Sequence, residues 1–77
     1  MNKPRRKEIE AIIEEIERLK ERVENVGQAE QNAYDNLPEG LQQSGKGQSM
    51  EMAASYLDEA ASSLGDAVDY LQESLNE

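Results

Sequence analysis

The sequence predicts an all-α fold: an antiparallel helical hairpin with a short helical turn in its connection, assembling into a homo-oligomeric helical bundle. Three observations predict it. Between Met50 and Leu75 the apolar residues return every seventh position in three columns: Met50, Leu57, Leu64 and Leu71; Ala53, Ala60 and Ala67; Ala54, Ala61, Val68 and Leu75. From Ile9 onward a second ladder steps by three and four through Ile12, Ile16, Leu19, Val23 and Val26 to Glu30, Ala33 and Leu37, with Ile13 on its flank. Finally, a chain of 77 residues without Cys or His cannot support a small core with disulfides or with a Cys/His metal site, which leaves self-association as the support.

The whole chain, 1–77, reads as one domain. Its first helix is expected over about residues 4–34, with Asn2 or Lys3 at the cap and Pro4 in the first turn, where a missing N–H costs nothing. Glu14 and Arg18, Glu15 and Arg18, Glu17 and Lys20, and Lys20 and Glu24 stand three or four apart, the spacing of helix-surface ion pairs. Gly27 weakens the helix by ~1 kcal/mol relative to Ala. It therefore marks either a bend or the close approach of another backbone. Glu30 falls on the ladder, where a buried carboxylate is costly. It should be partly exposed, or paired with Lys46, Arg22 or a cation from a second chain.

The connection spans about residues 35–48. Asn36-Leu37-Pro38-Glu39 has the form of an N-cap, a first-turn Pro and a Glu at N3, predicting a helical turn over about 37–43 that lays Leu37 and Leu41 across the end of the bundle. Ser44 to Gln48 reads as a flexible link, and Ser49 as the N-cap of a second helix over about 49–76. The Gly-Lys-Gly-Gln-Ser string lacks the spacing of a phosphate-binding loop. Two helices of similar length joined by a compact connection should close as a hairpin, with Gly65 at the tightest contact.

Charge divides the chain. Residues 1–26 balance seven basic against seven acidic side chains, whereas residues 27–77 carry ten acids against Lys46 alone, so the net charge of −9 belongs to the second part. Such a surface repels nucleic acid and anionic membranes and attracts basic proteins. No apolar run approaches the ~18 residues of a membrane span, and the chain reads as soluble and intracellular.

Catalysis is not expected, nor any cofactor. With His and Cys absent, acid–base work would fall to carboxylates, Lys or Tyr in a buried pocket, which a hairpin of this size does not provide. Binding remains, in three forms. If hairpins pack antiparallel, Arg5 and Arg6 of one chain would meet Tyr34, Asn36, Gln42, Gln43 and Lys46 of another and form a polar pocket between protomers for a nucleotide-like anion. Alternatively, the acidic residues Asp58, Glu59, Asp66, Asp69 and Glu73 imitate the phosphates of nucleic acid and block a basic host protein such as a CRISPR effector or nuclease. The third form is a structural or assembly module.

The run Glu30-Gln31-Asn32-Ala33-Tyr34-Asp35-Asn36-Leu37-Pro38-Glu39, followed by a Gly/Ser segment and an acidic Leu/Ala heptad helix, resembles a group of small acidic proteins encoded by phages and prophages of Gram-positive bacteria. The resemblance covers most of the chain, and Asp35 to Glu39 is its specific part. It implies a counter-defence role by stoichiometric sequestration and carries no assigned binding residues. The irregular polar connection, longer than the two to eight residues a hairpin uses, inclines the reading to a sponge for a nucleotide-like immune signal, with the nucleic-acid mimic as the alternative.

Overall fold

The computed structural model describes all residues, Met1–Glu77, and contains three helices: α1 (Lys3–Asp35), α2 (Glu39–Gln42) and α3 (Gly45–Ser74). The two long helices pack along each other as an antiparallel pair, with α2 folded against the start of α3. The result is a rod of 58 × 15 × 12 Å.

α1 begins where the sequence says it should. Asn2 is extended, and its Oδ1 accepts a hydrogen bond from the Arg5 backbone N–H at 3.0 Å, with Pro4 in the first turn. The helix runs unbroken through Gly27, so the glycine serves close approach and not a bend. A Cβ built there would stand 3.3 Å from Leu57 Cβ. Gly65 is looser than expected, since only the end of the flexible Lys20 side chain, at 3.4 Å or more, meets its Cβ position.

That approach sets the rotation of α1 and corrects the predicted ladder. The one buried residue of α1 is Ile13, expected only at the flank, while Leu19 and Val26 remain 46% and 58% exposed. The contact instead follows Ile9, Ile16 and Val23 together with Ile13, Lys20, Gly27 and Tyr34. On α3 the innermost column is Ala54, Ala61 and Val68. Small residues of one helix meet larger ones of the other, Gly27 against Leu57 and Gly65 against Lys20, so the axes come close, and Leu19 and Val26 turn outward. Leu57, Leu64 and Leu71 are half-buried and Ala60 is exposed. Glu30 is half-buried and forms no ion pair. None of the intrahelical charge pairs closes either; the one ion pair joins the Met1 amino group to Glu77 at 3.0 Å.

The connection differs most from expectation. Asn36 ends α1 and does not begin α2; its N–H donates to the Asn32 carbonyl at 3.0 Å. Pro38 stands at the α2 N-cap, and the turn is confined to Glu39–Gln42. Leu37 is half-buried as foreseen, but Leu41 is 52% exposed and does not cover the bundle end. Ser44 to Gln48 is not a link. Ser44 is itself the α3 N-cap, its Oγ accepting from the Gly47 N–H at 3.3 Å, and Ser49 lies within the helix, exposed. Gly47 is buried because α2 turns back over the first turn of α3; a methyl at that position would overlap the Leu41 and Gln42 carbonyls.

Candidate functional site: a carboxylate-lined groove

The residues expected to form an anion pocket fall at the two ends of the rod. Arg5 and Arg6 are in the first turn of α1, whereas Tyr34, Asn36, Gln42, Gln43 and Lys46 surround the connection. The length of α1 separates the two groups by roughly 45 Å, so one chain cannot unite them.

Two of them also hold helix ends. The Arg6 guanidinium, half-buried, donates through Nη2 to the Leu75 carbonyl at 2.6 Å, satisfying an acceptor left over at the end of α3. Gln42 Nε2 donates to the Tyr34 carbonyl at 3.2 Å, joining the Leu37 backbone N–H on that acceptor at the end of α1. Arg5, Asn36, Gln43 and Lys46 are exposed. Tyr34 is half-buried beside Glu51. Hydrogen bonding to Glu51 raises its phenol pKa above the ordinary 10.0, helped by desolvation and by the charges of Glu51 and Asp35.

The acidic residues are arranged differently. Along one side of the hairpin two shallow depressions, about 430 and 600 Å³, share Glu24 and form a continuous groove. Glu17, Glu21 and Glu24 line it from α1, and Glu51, Asp58, Asp66 and Asp69 from α3, with Lys20 the one base among them. Asp58, Asp66 and Asp69 thus belong to the groove, while the exposed Glu59 and Glu73 do not line it.

Sequence reasoning did not find the contribution of α1. Its acids alternate with Arg and Lys and read as halves of surface ion pairs. The available signal was the series Glu17, Glu21, Glu24, Gln28 and Gln31, which keeps step with the Lys20–Gly27 seam at helical spacing. No group of acidic side chains is placed to chelate a metal ion. No helix is long and apolar enough to cross a membrane. No protein-family model, curated protein sequence or solved structure matches the chain.

Proposed function

We propose that the chain is a non-catalytic protein that acts stoichiometrically, occupying a basic surface of a partner protein with its carboxylate-lined groove. The observation that carries this reading is the convergence of seven carboxylates from two helices on one side of the rod. Over the span from Glu51 to Asp69 they present one negative charge about every 4 Å, close to the ~3.4 Å at which one strand of a DNA duplex presents its phosphates. A protein surface built to bind nucleic acid would find comparable charge here on a rigid helical support. The resemblance to small phage proteins supplies a setting, in which the partner is a host defence factor that handles nucleic acid. The sponge reading has less support, because Arg6 and Gln42 are engaged in closing helix ends.

The test is calorimetric titration of a lysine-rich peptide into variants of matched charge. Glu24→Lys, Asp58→Lys and Asp69→Lys together should weaken binding at least about tenfold more than Glu10→Lys, Glu59→Lys and Glu73→Lys together, since both triples change the net charge equally. Equal losses would mean that only total charge matters and would remove the groove from the account. A melting temperature raised by a nucleotide in the parent protein, but not after Arg5→Ala, Arg6→Ala and Lys46→Ala, would instead return the sponge to first place.

A further inference from the structure

The side of the hairpin opposite the groove carries no charge on α3 and leaves Leu19 and Val26 of α1 exposed, and the geometry points to its occupant as a second copy of this chain, lying antiparallel across a two-fold axis at Leu19 and Leu64. The groove takes residues 17, 20, 21, 24, 27, 28 and 31 of α1 and 51, 55, 58, 62, 65, 66 and 69 of α3, with Val23, Ala54, Leu57 and Val68 reaching it along the seam. Helical periodicity puts the column Ile12, Leu19, Val26 on the other side of the seam, and with it Leu64, Leu71 and the Ala53, Ala60, Ala67 column of α3, while Leu57 sits at the seam and borders both sides.

The α3 part of this face excludes charge. In a chain of which 32% is charged, positions 49, 50, 53, 56, 57, 60, 63, 64, 67, 70 and 71 of α3 hold only Ser, Met, Ala, Tyr and Leu. Leu19, Val26, Tyr56 and Tyr70 are the exposed large side chains along it. The pattern is that of a four-helix bundle of which one half is present.

Self-complementarity identifies the occupant and its direction. A two-fold axis perpendicular to the rod lays α1 on α1 of the second copy, antiparallel. With Leu19 on the axis, Ile12 falls opposite Val26 of the second copy. On α3, Leu64 on the axis sets Leu57 opposite Leu71 of the second copy. One axis serves both helices, because Lys20 lies against Gly65 and Gly27 against Leu57, which brings Leu19 beside Leu64. The outer edge of α1 bears Glu8, Glu15 and Arg22. The same axis places Glu15 opposite Arg22 of the second copy, twice by symmetry. A parallel arrangement would put α1 over α3 and set Glu15 and Arg22 against the Ser/Tyr edge, with no opposite charge to meet.

Two experiments on the full chain test this. The chain has no Cys of its own, so Leu19→Cys should form a disulfide dimer on mild oxidation, whereas Ile12→Cys alone should not and a mixture of Ile12→Cys with Val26→Cys should. Glu15→Arg or Arg22→Glu alone should weaken dimerisation about fivefold, and the double swap should restore it. Because these two residues lie at the exposed edge, the swaps read association without disturbing the hairpin. A parent protein that remains monomeric, or forms a trimer or larger ring, would overturn the inference. A dimer whose Leu19→Cys variant fails to crosslink would overturn the antiparallel axis.

Discussion

At the scale of single residues, the hairpin is governed by where it can tolerate no side chain. Gly27 and Gly47 are both helical, the first read from sequence as a bend or a close approach and the second as part of a flexible link. The structure gives each a packing reason: Leu57 Cβ approaches the first, and the Leu41 and Gln42 carbonyls enclose the second. Tyr34 adds a titratable contact between the ends of the long helices. Its phenol pKa is raised in the folded protein, chiefly by hydrogen bonding to Glu51, so the folded state holds the proton more tightly than the unfolded chain. The sign follows: the stabilisation is fully present below the unfolded value near 10.0 and is lost as pH rises through the folded one. Tyr34→Phe should therefore cost stability at neutral pH, and the gap between the two proteins in urea unfolding should narrow steadily above about pH 9.5.

At the scale of elements, what was legible was what periodicity and capping dictate locally. The start of α1 at Asn2-Lys3-Pro4, its uninterrupted length and the amphipathic body of α3 could all be read from the chain, because each depends on residues within a turn or two of one another. Two features could not. The rotation of α1 depends on which face of α3 it meets, and nothing near Ile13 or Leu19 in sequence says that Gly27 will meet Leu57. The beginning of α3 was hidden by its own glycines: Gly45 and Gly47 have poor helix propensity, yet folding α2 back over this turn requires the second of them and lets Ser44 cap the helix. Alanine substitution separates the two boundaries. Ser44→Ala should destabilise the protein by ~1 kcal/mol, while Ser49→Ala, in the exposed helix interior, should be neutral or stabilising by a few tenths of a kcal/mol, both measured by chemical denaturation.

At the scale of the whole molecule, a chain of 77 residues whose buried core is only Ile13, Ala54, Ala61 and Val68 has a hairpin and little else to hold it. Its two long sides differ in kind. One carries the acids of both helices around Lys20, and the other carries none on α3 and leaves Leu19 and Val26 exposed. The sequence made the acidity of the second half plain. It did not show that α1 shares in the groove, because charge counted along a chain does not reveal which charges meet across a seam. We propose different work for the two sides: the side without charge on α3 completes the fold by packing on a second copy, which leaves the carboxylate side of each hairpin open to a basic partner.

The most direct test is thermal unfolding followed by circular dichroism over a hundredfold range of protein concentration. If a second copy completes the fold, the melting temperature must rise with concentration, since association stabilises only the folded state. A melting temperature independent of concentration would show that each hairpin stands alone, and would contradict the account.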